Sequence, residues 1–185
     1  MSTPIRQSAR RHNLDFNKER EWSGIDQSVR LVIEAAAIGD CRWPLVFMGK
    51  AGSGKSCASL CMWDKYGGHW HSFAALCAKL NEADFDRLHD HLGYRIFPRD
   101  IWNDWKNTNL GIIDDVGTRS KITDHQYETL KLALDAREEK PTVITTNLDI
   151  QALGRLFDDR IASRIAGGTI VEFNGDRRIE RRTND

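Results

Sequence analysis

Residues 45–56 read LVFMGKAGSGKS, and this stretch decides the fold of the 185-residue chain. The apolar run from Leu45 to Met48 is typical of a buried strand, and a helical pattern begins at Lys55. Between them, GKAGSGKS matches G-x-x-x-x-G-K-[ST], a motif that requires a strand before it and a helix after it. Glycines let consecutive backbone N–H groups approach phosphate oxygens, and the helix N-terminus adds positive potential. The stretch therefore predicts a phosphate-binding loop.

Two side chains of this loop carry most of the expected chemistry. Lys55 supplies a point charge for the β- and γ-phosphates of a nucleotide, and the Ser56 hydroxyl is short enough to ligate Mg²⁺. A glycine-rich turn without a ligand is the alternative. The residues that we expect to contact the nucleotide are Gly49, Lys50, Ala51, Gly52, Ser53, Gly54, Lys55, Ser56 and Cys57.

Short apolar runs alternate with helical patterns along the rest of the chain. Uninterrupted apolar strands separated by helices indicate a parallel sheet covered on both faces, because each crossover returns the chain to the same edge. We therefore predict an α/β fold of the P-loop NTPase type, with a parallel sheet of about five strands and helices on both faces. Strands are predicted at 45–48, 69–73, 110–113, 142–146 and 169–173. Helices are predicted to begin near residues 23, 55 and 123, and another is predicted to contain Leu76 and Leu80. The pattern at 82–109 is less clear and indicates only a short helix around Ile101 and Trp105.

An acidic pair follows one of the predicted strands, where residues 110–115 read LGIIDD. The first acid, Asp114, can hold the Mg²⁺ shell, and the second, Asp115, can polarise the attacking water. Acid pairs after strands also cap the following helix, which is the alternative here. Downstream of a phosphate-binding loop, the catalytic interpretation is favoured.

Polar residues further along the chain extend this site. The strand at 142–146 is followed by Asn147 at the same edge of the sheet, where Asn147 could orient the water, contact the γ-phosphate or merely cap the strand end. Further on, DDRIASRI places Arg160 and Arg164 four residues apart, so they share one face of a helix. A solvated basic face is the alternative for this pair.

Composition limits the class of protein. Charges balance, with 27 Lys and Arg against 27 Asp and Glu, so binding to nucleic acid would have to be local and no membrane partner is indicated. The length allows one domain. Four cysteines without zinc-site or disulfide-framework spacing, the lack of an apolar leader and the lack of a long apolar stretch predict a cytoplasmic protein.

The motifs GKAGSGKS, IIDDVG, VITTNL and LFDDRIASRIAGGTIVEF, followed by NGDRR, occur in this order between residues 23 and 178. As a set they resemble the AAA+ ATPases, and within them the DnaC-like and DnaI-like loaders of replicative helicases and the IstB-like transposition helper ATPases. The resemblance implies that Asn147 is the sensor-1 residue, that Arg164 is the arginine finger offered to a neighbouring subunit's ATP, and that Arg160 assists it. Arg178, or alternatively Arg177, resembles the sensor-2 arginine.

The resemblance also implies a function. A phage-encoded ATPase of the helicase-loader type would use ATP, ADP and Mg²⁺, would hydrolyse ATP slowly unless assembled into a homo-oligomer, and would act on single-stranded DNA and a replicative helicase. One alternative is an IstB-like transposition helper, whose partner is a transposase. Others are a P-loop nucleoside or nucleotide kinase and an adaptor that binds ATP without turnover.

The same resemblance sets the expected domain organisation. We expect a flexible basic arm at 1–22, the ATPase domain at 23–178 and a polar tail at 179–185. About 43 residues precede the strand of the phosphate-binding loop, too few for the separate helicase-binding domain of the larger loaders. About a dozen residues follow the last strand, so no substantial C-terminal lid domain is expected.

Overall fold

The computed structural model describes residues 30–31, 33–35 and 41–175 of the chain. The strands are β1 (Leu45–Gly49), β2 (His69–Ser72), β3 (Gly111–Val116), β4 (Thr142–Thr146) and β5 (Thr169–Phe173). The helices are α1 (Lys55–Tyr66), α2 (Phe73–Asp84), α3 (Pro98–Asn107), α4 (Asp124–Asp135), α5 (Ile150–Leu156) and α6 (Asp159–Ala166), and residues 30–31 and 33–35 are also helical. All five strands are parallel and lie in the order β2-β3-β4-β1-β5. The predicted α/β class is confirmed.

Helices cover both faces of the sheet because successive side chains of a strand point in opposite directions. In β1, Leu45 and Phe47 belong to the apolar cluster that includes α1 and Ile33, whereas Val46 belongs to the cluster that includes α2 to α6. All three β1 side chains are fully buried. Burial on both faces explains why the strands are continuous apolar runs in the sequence.

The strand order brings three carboxyl ends together. β4 lies between β3 and β1, and its residue Thr146 is in register with Met48 on one side and Val116 on the other. The loop after β1, the end of β3 and the residue after β4 therefore meet at one edge of the sheet. This is the arrangement on which the predicted site depends.

Several predicted strand boundaries differ from the structure, including the ends of β2 and β3. β2 ends at Ser72 because the Ser72 hydroxyl accepts a hydrogen bond from the Ala75 N–H (3.2 Å) and begins α2. β3 extends from Gly111 to Val116, so that Asp114 and Asp115 lie inside the strand instead of after it. The acid pair is therefore not a helix cap.

The short helix predicted around Ile101 is confirmed as α3. Its Trp105 is only 2% exposed, and the indole Nε1–H donates to the carbonyl oxygen of Ala133 in α4 (3.0 Å). This bond satisfies the polar atom of a large buried side chain, as buried tryptophans require. Trp105 therefore packs in the core and fixes α3 against α4.

Several predictions lie outside the described residues. They concern the arm at 1–22, the helix start near residue 23, Arg177, Arg178 and the tail at 179–185. In the part of the chain that the structure describes, no helix combines the length and the apolar character needed to cross a membrane.

Candidate nucleotide site

The predicted phosphate-binding loop connects β1 to α1 at the carboxyl end of the sheet. Gly54 is the N-cap of α1 and has a φ of 100°, a left-handed conformation that glycine adopts at little steric cost. No side chain caps α1, and no acidic residue lies in its first turn. The positive potential of this helix N-terminus is therefore available to an anionic ligand. In contrast, α2, α4, α5 and α6 are capped by the side chains of Ser72, Thr123, Asp149 and Asp158.

Lys55, the first residue of α1, is 6% exposed. Its ammonium donates to the carbonyl oxygens of Gly49 (2.7 Å) and Lys50 (2.9 Å) and to the side-chain oxygen of Asn147 (2.8 Å). An ammonium has three hydrogens, so these bonds hold it firmly against the loop backbone. The structure thus brings Lys55 and Asn147 together, at the end of the sheet where the sequence predicts Asn147 to lie.

Asp114 is 5% exposed and lies close to the first turn of α1. Its Oδ1 accepts a hydrogen bond from the Thr145 hydroxyl (2.7 Å). Burial raises the pKa of the Asp114 carboxyl, and hydrogen bonds from Thr145 and Ser56 oppose that rise. The influence of the Ser56 hydroxyl on this pKa places the two side chains that the sequence predicts as Mg²⁺ ligands close to each other.

These two side chains fit a magnesium ion. A serine hydroxyl and a carboxylate are hard oxygen donors, the kind that Mg²⁺ prefers. Mg²⁺ commonly takes one or two protein oxygens and completes its shell with water and substrate phosphate. Ser56 and Asp114, beside a phosphate-binding loop, are a donor set of that composition.

Asp115 follows Asp114 in a left-handed conformation, with a φ of 66°, which aspartate tolerates better than most residues. Its backbone N–H donates to the Thr145 hydroxyl (2.9 Å). Partial burial raises the pKa of the Asp115 carboxyl, and the charge of Lys55 opposes the rise. The residue as a whole is exposed at the edge of the site. Its carboxyl group lies within the electrostatic reach of Lys55.

Arg160 and Arg164 lie on α6, which runs alongside α4. The Tyr127 hydroxyl of α4 donates to Asp158, the N-cap of α6 (2.6 Å), and Arg164 forms an ion pair with Asp135 at the end of α4. Because α4 carries the chain from the end of β3 back to the start of β4, Asp135 lies at the amino end of the sheet. Arg164 is therefore at the opposite end from the phosphate-binding loop. The structure does not bring it to the site of its own chain.

A cavity of about 490 Å³ opens at this amino end of the sheet. Among the side chains that line it are Trp43, Pro44, Leu134, Thr142 and Arg164. The cavity is thus separate from the phosphate-binding loop and belongs to the surface that presents Arg164.

The sequence interpretation missed two residues of this arrangement. Thr145 bonds to both acids, but a threonine inside an apolar run is read as an ordinary strand former. Asp135 pairs with Arg164, but an exposed acid at the end of a helix gives no signal of its partner. For Thr145, the position directly across from the acid pair in the neighbouring strand is the feature that could have identified it.

Comparison with known proteins finds similar structures but no similar sequence. No protein-family model and no curated protein matches the sequence. Solved structures do match. DnaA from Aquifex aeolicus bound to AMPPCP has a TM-score of 0.66 and 19% identity, over 86% of this chain and 51% of that chain. A replication initiator DnaA bound to AMPPCP and single-stranded DNA has a TM-score of 0.63 and 19% identity, over 81% and 46%. DnaI has a TM-score of 0.59 and 18% identity, over 87% and 93%.

These likenesses show that the chain has the α/β fold of the DnaA and DnaI chains. The chain spans about half the length of the DnaA chains and most of the length of the DnaI chain that it matches. The predicted resemblance to the DnaC-like and DnaI-like AAA+ proteins is therefore confirmed at the level of the fold.

Proposed function

We propose that this chain is an ATPase that acts in DNA replication as an oligomeric switch of the helicase-loader, DnaC-like type. The observation that carries this proposal is that Lys55, Ser56, Asp114, Asp115 and Asn147 meet at one end of the sheet. An ammonium, a hydroxyl, two carboxylates and an amide beside a glycine-rich loop are the groups that P-loop enzymes use to hydrolyse ATP.

Binding of ATP would use the loop and the first turn of α1. The backbone N–H groups of residues 49–57 would surround the phosphates, and the Lys55 ammonium would exchange a loop carbonyl for a phosphate oxygen. Ser56 and Asp114 would hold Mg²⁺, which supplies charge neutralisation at the β- and γ-phosphates. Arg178, or Arg177, is proposed to contact the nucleotide as well.

Hydrolysis would depend on Asp115 and Asn147. Asp115 would orient a water molecule and accept a proton from it, and the water oxygen would form a bond to the γ-phosphorus while the bond from that phosphorus to the β,γ-bridging oxygen breaks. The products are ADP and inorganic phosphate. The oxygen of Asn147 already accepts from Lys55, so its amide N–H groups are the part that would donate to the water or to the γ-phosphate.

Arg164 would act on the ATP of a neighbouring copy, with Arg160 assisting. Its location at the far end of the sheet from Lys55 supports action between subunits, because one chain cannot bring the two together. An arginine finger contributes about 10³ to 10⁵ in kcat, so an isolated subunit would turn over very slowly. ATP binding would thereby be coupled to assembly.

The replication role is supported by the structural neighbours. The likeness to DnaI extends over 93% of that chain, and one of the DnaA neighbours is bound to single-stranded DNA. We propose that the ATP-bound oligomer binds single-stranded DNA and a replicative helicase, and that hydrolysis releases them. The ATPase domain would extend over residues 23–178.

The first test is the mass of the protein in solution, measured by light scattering with a slowly hydrolysed ATP analogue, with and without single-stranded DNA. We expect an oligomer with the analogue, and phosphate release from ATP that rises with protein concentration. A protein that stays monomeric under all conditions and phosphorylates a nucleoside would be a kinase instead. An oligomer that forms on DNA without phosphate release would be a nucleotide-gated adaptor.

The second test concerns the partner. Immobilised protein with the ATP analogue is offered a purified replicative helicase and, separately, a purified transposase. Retention of the helicase supports the loader proposal, and a Lys55→Ala variant serves as the control for nucleotide dependence. Retention of the transposase alone would assign the chain to transposition.

A further inference from the structure

The strand that carries the two acids has an irregularity opposite Thr145. The β3 and β4 pairing is regular up to Ile113 and Ile144, and resumes at Val116 and Thr146. Between these pairs, two residues of β3 face the single residue Thr145, which is a β-bulge. Bulges are uncommon in parallel pairs, and they often lie beside functional sites where they redirect a side chain.

The Thr145 hydroxyl bonds to both bulged residues, and the direction of each bond is fixed. The Asp115 backbone N–H can only donate, so the hydroxyl oxygen accepts from it (2.9 Å). The single hydroxyl hydrogen is then available for the Asp114 Oδ1, at 2.7 Å. Thr145 is 1% exposed, so water does not compete for these bonds. One side chain therefore holds the backbone of one acid and the carboxyl group of the other.

The bulge has a consequence for where the carboxylates point. In a regular strand, two consecutive side chains project from opposite faces of the sheet, so one of two neighbouring acids would face away from the phosphate-binding loop. Here the left-handed conformation of Asp115 interrupts that alternation. The charge of Lys55 opposes the rise in pKa of both carboxyl groups, so both lie within electrostatic reach of the ammonium that holds the loop.

We infer that Thr145 is a positioning residue that holds the bulge and thereby directs Asp114 and Asp115 to the same magnesium and nucleotide site. This inference rests on the proposed function, because it assigns Thr145 to the support of that site. Thr145 touches neither nucleotide nor metal in this role; it acts through the two acids.

The test compares three variants with the wild-type protein. Thr145→Val keeps the side-chain shape and removes the hydroxyl, and Thr145→Ser keeps the hydroxyl. Thr146→Val is the matched control, since Thr146 is also fully buried and its hydroxyl donates to the Val116 carbonyl oxygen (2.8 Å) and accepts from the Leu148 N–H (3.1 Å). It makes the same kind of bond between β4 and β3 without touching the acids. If Thr145→Val does not fold, Thr145→Cys, whose thiol is only a weak donor, takes its place.

Two measurements are made on each variant: ADP affinity in the presence of a chelator, and Mn²⁺ affinity with saturating ADP, from the electron paramagnetic resonance signal of free Mn²⁺. We expect Thr145→Val to bind ADP normally but to bind Mn²⁺ about 10- to 100-fold more weakly, as is usual when a residue supporting a metal ligand is removed. Thr145→Ser and Thr146→Val should stay close to wild type. Turnover at saturating ATP should follow the Mn²⁺ result.

The outcomes separate this inference from the proposed function. If wild-type protein binds neither ADP nor Mn²⁺ with ADP, the proposed function is wrong and the role of Thr145 is rejected with it. If wild-type protein binds both and Thr145→Val binds both equally well, only the role of Thr145 is wrong. Equal losses of Mn²⁺ affinity in Thr145→Val and Thr146→Val, or no recovery in Thr145→Ser, would also overturn it, because the effect would then be a general disturbance of the sheet.

Discussion

The Lys55 ammonium and the Asn147 side-chain oxygen lie 2.8 Å apart, although 92 positions separate the two residues in the sequence. This bond joins the loop after β1 to the residue that follows β4. Because Lys55 also holds the loop carbonyls of Gly49 and Lys50, any movement of its ammonium toward a ligand changes the surroundings of Asn147. Binding at the loop and the position of Asn147 are thus physically connected.

We predict different effects for substitutions at these two positions. Lys55→Ala removes a charge-assisted hydrogen bond to phosphate, and one such bond is worth about 1.5–3 kcal/mol. The substitution should therefore weaken ATP binding about 10- to 100-fold. Asn147→Ala should leave the affinity nearly unchanged and lower kcat about 10²-fold, as for the loss of one donor to a developing charge. Fluorescent ATP titration and phosphate release measure the two quantities. Equal losses of affinity in both variants would contradict the separate roles.

Asp115→Asn should separate binding from hydrolysis. The amide cannot act as a base, and general bases contribute about 10²- to 10⁴-fold, so kcat should fall by that factor while ATP affinity is retained. Asp124→Asn, an exposed acid in the first turn of α4, is the matched control and should have wild-type turnover. Single-turnover phosphate release measures the effect. A normal rate in Asp115→Asn would assign the water-polarising role to another group.

The loop between β1 and α1 could be predicted because its residues are contiguous and its spacing is strict. Asn147 could be predicted because parallel strands have their carboxyl ends at the same edge, whatever the distance along the chain. The bulge at Asp114 and Asp115 could not, since the letters of an acid pair do not reveal a break in strand alternation. For the same reason Thr145 was missed, as its role depends on the register between β3 and β4.

The interaction of Arg164 with a neighbouring site can be tested by mixing two impaired variants. Lys55→Ala lacks a working loop but keeps its arginine, and Arg164→Ala lacks the arginine but keeps its loop. Arg164→Ala alone should be slower by about 10³- to 10⁵-fold, and Lys55→Ala alone should turn over little at ATP concentrations below its weakened affinity. At such ATP concentrations the mixture should regain a substantial part of the wild-type rate. Arg155→Ala, an exposed arginine in the last turn of α5, is the control and should be active alone. No recovery in the mixture would contradict action between subunits.

The stability of the fold should fall in mild acid because of His71 in β2. Its pKa is lowered to about 4 from 6.5, chiefly by burial, with smaller contributions from the charges of Lys79 and His69. Above pH 6.5 the imidazole is neutral in both folded and unfolded chains, so its contribution is fully present there. As the pH falls from 6.5 to 4, the unfolded chain takes up a proton that the folded chain excludes, and stability is lost.

The expected loss from His71 is about 2 kcal/mol between about pH 7.5 and about pH 5, with a limiting slope of about 1.4 kcal/mol per pH unit. Urea unfolding at the two pH values measures it. His71→Gln should remove this part of the pH dependence, whereas His89→Gln, an exposed histidine, should leave it in place. The same pH dependence in wild type and His71→Gln would contradict the assignment.

Arg137 is a structural residue whose replacement should destabilise the fold without touching the nucleotide site. It is 3% exposed, and its guanidinium donates to the carbonyl oxygens of Trp105 (2.7 Å), Thr108 (2.9 Å) and Pro141 (2.6 Å) and to the Thr142 hydroxyl (3.1 Å). These bonds connect the end of α3 to the start of β4. Burial lowers the pKa of Arg137 to about 10, so the side chain still carries its charge near neutral pH.

Arg137→Lys would keep the charge but lose the planar set of donors, leaving buried carbonyl oxygens without partners at a cost of about 1–3 kcal/mol each. We expect the free energy of unfolding to fall by about 3 kcal/mol in urea denaturation, and ATP affinity of the folded fraction to be unchanged. Arg99→Lys is the control, because the Arg99 side chain is 76% exposed and its replacement should have little effect. A wild-type midpoint for Arg137→Lys would mean that a single ammonium satisfies this group of carbonyl oxygens as well as the guanidinium does.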